Sequence, residues 1–412
     1  MADMALRRTE AWITGIGLVS SLGEGAEAHW HHLGQGIAPT ANIHDARYAP
    51  YSLHPLAEID FSKQIPRTSD QRQMERWQRI GVYAAGLALT DAGIAGAPEL
   101  LDKIDLTIAA GNGERDLVLD ARILETLHAG GAPSGALNHQ LATGLRPTLY
   151  LGQLSNLLAG NISIVHKAAG SSRTFKGEEM AGVAAIEDAV RRLDGGQSEL
   201  ILVGGALNAE REDLLLNLEL GASLLRGGHR GVWSREGAGG GMVPGSIGVF
   251  LVLESPGHAA NRGAKPYASI AAVVSDQSSR APGTAAETMR SLFETLAPLV
   301  DGGGRLAVLS GASGVEPATR EERCFLEELN NVLSPVRAYG TRLGHGVEAH
   351  FVTGMALAAL TLSKRSFYPP CDDTESAMDP GVTCRQILVT CLGHDCGEAL
   401  GLVEAVEEAS RG

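Results

Sequence analysis

Runs of consecutive apolar residues alternate along the chain with segments in which apolar residues recur every three or four positions. The continuous runs predict strands covered on both faces, and the periodic segments predict amphipathic helices. The predicted strands span 11–18, 104–111, 198–205, 247–254, 267–275, 305–310, 384–391 and 399–405. The predicted helices span 75–94, 149–168, 178–194, 284–300, 319–332 and 346–363. This alternation predicts a layered α/β protein.

Glycine marks the interiors and ends of several predicted strands, among them Gly15 and Gly17. At such positions we expect the backbone to turn sharply or to approach another segment closely. The most loop-like stretch, 226–246, separates two parts of the chain with a similar order of elements. Together with the resemblance described below, this order predicts two halves, residues 1–255 and 256–412.

Charge and cysteine content exclude several classes of protein. The 412 residues carry a formal net charge of −14, which argues against a general nucleic-acid-binding role because that role needs a basic face. No apolar run has the length of a membrane helix, and no long apolar stretch follows the N-terminal arginines as in a secretory signal. Five cysteines without zinc-type spacing, and no nucleotide-binding glycine motif, predict a cytoplasmic protein with no metal or cofactor.

Four segments, in this order along the chain, resemble the β-ketoacyl-ACP synthases. They are 12–23 (WITGIGLVSSLG), 200–206 (LILVGGA), 247–269, and 344–370, which begins with Gly-His-Gly. The resemblance implies the thiolase-like α/β fold of these condensing enzymes. In that fold two pseudo-repeated halves, each with a mixed five-stranded sheet, form a five-layer α-β-α-β-α arrangement.

The resemblance also implies where the catalytic groups of such an enzyme would lie. The family uses a cysteine at a helix N-terminus, whose thiolate the helix dipole favours, to take the acyl chain. Two histidines and a supporting lysine stabilise the enolate formed on decarboxylation. In this chain Glu179 occupies the cysteine position, Ala312 the first histidine position and Gly340 the lysine position, whereas His345 retains the second histidine. Three of the four groups are therefore absent.

The family's gating turn corresponds to residues 392–398, which begin at Leu392 and carry His394 at the position of the gate phenylalanine. We expect His394 to plug the pocket, with an ordinary loop histidine as the alternative. The neighbouring Cys391 and Cys396 are expected to be small buried apolar residues rather than replacement nucleophiles. Ser171 and Ser172 lack the Gly-x-Ser-x-Gly setting of a serine nucleophile, so we assign them no catalytic role.

Glu179 is not a substitute nucleophile. A carboxylate that attacked a thioester would form an anhydride, and the thiolate is the better leaving group. At a helix N-terminus a carboxylate accepts backbone N–H bonds and meets the positive end of the dipole, so Glu179 is expected to close the pocket and block acylation. The alternative is that Glu179 only caps a helix. Because positions 312 and 340 lack the histidine and the lysine that would assist it, His345 is not expected to support efficient condensation.

Two further segments predict partners. Residues 63–79 contain Lys63, Arg67, Arg72, Arg76 and Arg79, and the resemblance places this stretch near the docking face for the acidic acyl carrier protein. The alternative is a solvated helix face, because acidic residues are interspersed. Residues 149–168 resemble the segment that packs across the family's dimer axis, so we expect a dimer, with itself or with an active synthase subunit.

The functional prediction is a β-ketoacyl-ACP synthase homologue that lacks its own condensing activity. It would pair with an active synthase as chain-length factors do, and it would shape the tunnel for the acyl or polyketide chain. Two alternatives stay open. One is a residual acyl-ACP decarboxylase or acyltransferase that uses His345, and the other is a homodimeric acyl-binding protein.

Overall fold

One mixed β-sheet runs through the computed structural model, which describes residues 6–35, 46–130, 133–145, 147–301, 306–378 and 384–406. The strands are β1 (Ala11–Ser20), β2 (Gly23–Glu24), β3 (Asp105–Ala110), β4 (Ser172–Lys176), β5 (Leu200–Leu207), β6 (Ile247–Glu254), β7 (Ala268–Asp276), β8 (Leu306–Ser310), β9 (Leu333–Ala338), β10 (Gln386–Leu392) and β11 (Glu398–Glu404). The helices are α1 (Ala26–Gly34), α2 (Thr68–Gln73), α3 (Arg76–Asp91), α4 (Pro98–Leu101), α5 (Leu117–His128), α6 (Ala136–Gly144), α7 (Pro147–Gly152), α8 (Leu157–His166), α9 (Glu179–Asp194), α10 (Glu212–Leu220), α11 (Pro256–Asn261), α12 (Thr284–Leu296), α13 (Ala318–Glu328), α14 (Gly340–Leu343) and α15 (His350–Lys364).

The sheet consists of two halves with the same internal arrangement. Its strand order is β4-β3-β5-β6-β1-β7-β11-β10-β8-β9, with β2 paired to β1. In the first half β4, β3 and β5 are parallel, and β6 and β1 follow in antiparallel pairing. In the second half β9, β8 and β10 are parallel, and β11 and β7 follow in antiparallel pairing. The halves join where β1 pairs with β7, from Ala11↔Ile270 to Ile13↔Ala268.

Helices cover the sheet in layers. The two central helices α9 and α15 contact each other and strands of both halves. Helices α3 and α8 pack on the first half, and α12 and α13 on the second. Three large hydrophobic clusters separate these layers, so the predicted thiolase-like α/β fold with two pseudo-repeated halves is confirmed. The chain boundary between residues 255 and 256 stays a prediction.

The glycines of β1 let a helix lie directly on the sheet. A Cβ atom at Gly17 would lie 1.9 Å from the carbonyl oxygen of Ala84, and one at Gly15 would lie 2.6 Å from that of Ala88. Both alanines belong to α3. The close approach expected at these two glycines is therefore present, and it holds α3 against β1 and β6.

Some sequence-based predictions need correction. All eight predicted strands are present, but β4, β9 and the two-residue β2 were not predicted; β4 is polar and exposed, and β9 contains Pro335. Strands β4 and β9 are the terminal strands of the sheet order, where such residues are tolerated. The predicted helix 149–168 is two helices, α7 and α8, with a turn between them. At this turn the backbone of Gln153 passes so close to Gly113 that a Cβ there would lie 2.3 Å from the Gln153 Cα.

Several short helices also escaped prediction, namely α1, α2, α4, α5, α6, α10, α11 and α14. The predicted helix 319–332 ends early, at Glu328, and is followed by β9. Within the described ranges, no helix combines the length and the apolar character needed to cross a bilayer.

Candidate functional site

Glu179 is the first residue of the central helix α9, and only 2% of its surface is exposed. The N-terminal turn of this helix packs closely against the segment before α15. A Cβ at Gly182 would lie 2.6 Å from the carbonyl oxygen of Glu348. The buried helix N-terminus that the resemblance implied for this position is therefore present, and it carries a carboxylate.

The turn between β10 and β11 places His394 on Glu179. The Nδ1 atom of His394 lies 2.8 Å from the Oε1 atom of Glu179, and the His394 backbone N–H also donates to this oxygen over 3.4 Å. The turn is closed by a 2.9 Å bond from the Gly393 N–H to the Gly397 carbonyl. Arg280 donates to both carbonyls, over 2.7 Å to Gly393 and 3.2 Å to Gly397. This turn is thus held directly against the N-terminus of α9.

His345 approaches the same oxygen from the turn between α14 and α15. Its Nε2 atom lies 3.5 Å from Oε1 of Glu179. The turn is anchored by a 2.8 Å bond from the His345 N–H to the Val243 carbonyl and a 3.0 Å bond from the Gly245 N–H to the His345 carbonyl. The preceding Gly344 has φ of 72°, and a Cβ there would lie 2.7 Å from the Gly245 Cα, so only glycine fits.

The three groups at this point have different charge states. Burial by itself would raise the pKa of Glu179, but the charge of His394 and its hydrogen bond hold that pKa at about 2. Burial by itself would lower the pKa of His394, but the charge of Glu179 raises it to about 9. The pKa of His345 lies well below its ordinary value because of burial and the neighbouring His350. Near neutral pH the site therefore holds a carboxylate–imidazolium pair beside a neutral imidazole.

Ala312 and Gly340 lie close together, and the side chain of His350 lies beside Gly340 and contacts the ring of His345. A Cβ at Gly340 would lie 3.6 Å from both the Ala312 carbonyl oxygen and the Cε1 atom of His350. The His350 ring centroid is 3.9 Å from that of His345 and 4.4 Å from that of Tyr339. Burial lowers the pKa of His350 to about 3, so this ring is neutral.

His350 and Glu348 are site residues that sequence reasoning missed. Glu348 is buried and accepts a 3.1 Å bond from the backbone N–H of Gly111. Burial raises the pKa of Glu348 to about 7. The available signal was the presence of two titratable residues in the apolar segment 346–363, which was interpreted only as a helix.

The remaining candidates lie outside this centre. Leu392, predicted as a gating residue, packs into the hydrophobic cluster beneath α12 and α13. Cys391 is buried as expected, and burial raises the pKa of its thiol well above the ordinary value. Cys396 is exposed, which corrects the expectation that it is buried, because it lies in the turn rather than in β11. Ser171 donates to Asp105 over 2.7 Å, and Ser172 is exposed in β4.

The layered sheet and the helix N-terminus at position 179 define a protein of the thiolase-like condensing-enzyme class. The family model for the β-ketoacyl synthase N-terminal domain matches residues 9–258, more than half of the chain. The chain therefore belongs to the β-ketoacyl synthase family.

Similar proteins agree with this assignment. The 3-oxoacyl-[acyl-carrier-protein] synthase 2 of Vibrio harveyi is 26% identical over 264 residues, which cover 63% of this chain and 60% of that relative. The chain thus spans about three fifths of the length of the curated relative it matches. Among solved structures, the ishigamide ketosynthase/chain length factor has a TM-score of 0.77 at 19% identity and covers 97% of this chain and 100% of its own. A type II polyketide ketosynthase in complex with its acyl-carrier protein, AntDE:AntF, has a TM-score of 0.72 at 18% identity, with 97% and 100% covered. At these identities the structures confirm the fold alone.

Proposed function

We propose that the chain is a non-condensing subunit of the family, similar to a chain-length factor, that pairs with an active β-ketoacyl synthase. The observation that carries this proposal is the buried ion pair between Glu179 and His394 at the position where the resemblance implies a nucleophilic cysteine. In this proposal the subunit takes part in shaping the tunnel for the growing chain and performs no acyl transfer of its own.

The chemistry of the site supports this assignment. The Glu179 carboxylate is neutralised by an imidazolium, and its acyl product would be an anhydride rather than a stable thioester. Ala312 and Gly340 have no side-chain donor that could stabilise an enolate. His345 is neutral and lies beside a carboxylate, which would repel a developing negative charge.

The surface around β4 supports a paired assembly. Within the described residues β4 pairs only with β3, and the strand is largely exposed. Helices that follow one another before β4 expose large apolar side chains: Leu124, Leu127, Tyr150, Leu151, Leu154 and Ile164. An open sheet edge beside exposed apolar side chains is a typical interface for a second subunit. We propose a cysteine-bearing synthase of the same fold as the occupant.

The acyl carrier protein is the second proposed partner. Arg67 and Arg72 are exposed around α2. Lys63, although its side chain is 57% exposed, is paired with Glu24 over 3.2 Å, and Arg76 is paired with Glu210 over 2.8 Å. The basic surface available to an acidic carrier is therefore smaller than the sequence alone indicates, and it centres on Arg67 and Arg72.

Mass spectrometry of acylation and condensation tests the proposal. The purified chain is given acyl-ACP and malonyl-ACP, with and without a co-expressed cysteine-bearing synthase. We expect no acyl adduct and no ketoacyl product from the chain alone, and a longer product when the partner is present. Ketoacyl product from the chain alone that survives Glu179→Ala would contradict the proposal. Release of carbon dioxide by the chain alone would instead favour the decarboxylase.

The variant Glu179→Cys separates the lost nucleophile from the other losses. It restores a thiol at the helix N-terminus, where the dipole favours the thiolate. We expect an acyl adduct on this variant but no condensation, because positions 312 and 340 still lack the histidine and the lysine. Glu179→Ser is the matched control, and efficient condensation by Glu179→Cys would show that the other two losses are unimportant.

A further inference from the structure

Three side chains with metal-binding atoms meet at the outer side of the gating turn. They are Glu178, His394 and Asp395, and their ligand atoms all lie within 4.8 Å of one another. The Nε2 atom of His394 lies 3.8 Å from Oε2 of Glu178 and 3.7 Å from Oδ2 of Asp395. We call these three residues the gate cluster. No part of the proposed function uses its two outer carboxylates.

The orientation of the His394 imidazole in the gate cluster is fixed by a hydrogen bond on its Nδ1 side. Glu179 holds Nδ1 of His394 at 2.8 Å, and only 3% of the His394 side chain is exposed. Among the described residues, Nε2 has no hydrogen-bond acceptor within bonding distance, and it is aimed between the two outer carboxylates. In most histidine metal ligands the second ring nitrogen is likewise fixed by a hydrogen bond, to a carboxylate, a backbone carbonyl or water.

The charges around this imidazole leave an excess of negative charge. Glu178, Glu179 and Asp395 surround the single cation of His394. The nearest guanidinium, that of Arg280, donates to backbone carbonyls of the turn and lies 3.4 Å from Glu398.

We propose that the gate cluster binds one divalent transition-metal ion of the zinc type. Neutral His394 Nε2, one Glu178 oxygen and one Asp395 oxygen supply three ligands, and water completes the coordination. Binding releases the proton from Nε2, and the ion takes over its place between the carboxylates. The ion would tie the gating turn to the residue before α9 and hold the turn closed. This inference does not depend on the proposed partner synthase.

The sequence did not predict this site, and the expectation of no metal was based on local cysteine and histidine spacing. Glu178 and His394 come from distant parts of the chain, and only the packing of the turn on α9 brings them together. A search for ligands spaced along one segment cannot find such a cluster.

Isothermal titration of the chelator-treated full chain with Zn²⁺ tests the proposal. We expect one saturable site per chain, and about tenfold or greater loss of affinity in Glu178→Gln and in Asp395→Asn. These two side chains are 47% and 71% exposed, so both variants are expected to fold. Titration with Co²⁺ should give a visible absorption band in the wild type that both variants weaken.

His258→Asn is the matched control. His258 also holds a carboxylate through Nδ1, 2.6 Å from Glu254, but its carboxylate partner is shared with Arg262 rather than joined by further acids. We expect this variant to bind Zn²⁺ like the wild type. Hydrogen exchange should slow in residues 392–398 when Zn²⁺ is added to the wild type, and should not change in Asp395→Asn.

Two results would overturn the proposal. One is the absence of saturable Zn²⁺ binding by the wild type up to millimolar concentration. The other is binding that Glu178→Gln and Asp395→Asn leave unchanged, which would place the ion elsewhere on the chain.

Discussion

The two sides of His345 differ in the kind of contact that occupies them. On one side a charged pair, Glu179 with His394, lies at the position where the resemblance implies a thiol. On the other side a neutral ring, His350, packs against Tyr339 beside Gly340, where the resemblance implies a lysine. The first arrangement depends on two partners being present together, whereas the second depends mainly on volume.

This difference has an energetic meaning. A buried charge is stable only while its partner remains, because desolvation of an unpaired ion costs more than any single contact returns. Two neutral imidazoles in contact carry no such cost, and the loss of His350 is the loss of packing and of one hydrogen bond. Substitutions at four positions distinguish a buried charged contact from a packed neutral one.

Removal of the carboxylate should have the largest effect. Glu179→Ala leaves His394 without its buried partner, so we expect a loss of about 3–5 kcal/mol in the free energy of unfolding. Urea denaturation measures it. The control is Glu27→Ala, which removes an exposed ion pair with Lys364 and should cost less than about 1 kcal/mol. Equal losses in the two variants would contradict the role of buried charge.

The second buried carboxyl should make stability depend on pH. The unfolded chain holds Glu348 at its ordinary value of 4.5, and the folded protein holds its pKa at about 7. The folded state binds the extra proton between these values, so stability falls as the pH rises through this window. We expect Glu348→Gln to remove a loss on the order of 3 kcal/mol between pH 5 and pH 8. Parallel stability curves for the variant and the wild type would contradict this.

Replacement of the neutral ring of His350 should lower the free energy of unfolding by less, and the loss should depend on the volume of the new side chain. We expect His350→Ala to lose about 2 kcal/mol, because a cavity opens beside His345 and Tyr339. His350→Phe keeps a planar aromatic ring, somewhat larger than the imidazole, in this space and loses the 3.2 Å bond from the Gly346 N–H to Nδ1, so about 1 kcal/mol is expected. Thermal and urea unfolding of both variants measure the difference. A phenylalanine as costly as the alanine would show that the polar contact dominates.

The smallest effect is expected at Gly340, where the resemblance implies a lysine. Gly340→Ala adds a Cβ that meets its nearest neighbours at 3.6 Å, an ordinary contact distance. The alanine also restricts the unfolded chain, so stability should change by less than about 1 kcal/mol. The same denaturation measurement applies, and a larger loss would mean that His350 leaves no room there.

Much of the fold could be predicted because a long continuous apolar run is typical of a strand that is covered on both faces. The continuous runs of β5 and β6, buried at every position, were recognised as covered strands. The edge strands β4 and β9 were missed because their pairing comes from the sheet and not from their own residues, which include exposed polar side chains and Pro335.

The site could be predicted only at positions where the sequence matches the motifs of the resembling family without a gap. The positions of Glu179, His345 and His394 followed from the resemblance, and the structure places all three side chains together. The filling of the space by His350 depends on how α15 packs beside Gly340, and no local pattern encodes that contact. The same reason explains why the gate cluster was not found.

The pairing of β1 with β7, which joins the two halves of the sheet, affects when the sheet can form during synthesis. Strand β1 ends at Ser20, whereas its long neighbours β6 and β7 begin only at Ile247 and Ala268. During synthesis helix α3 is available to cover one face of β1 early, but the hydrogen-bonding edges of β1 stay without these two strands until the segments beyond residue 246 have been made. This interval is therefore the one in which a chaperone is most needed.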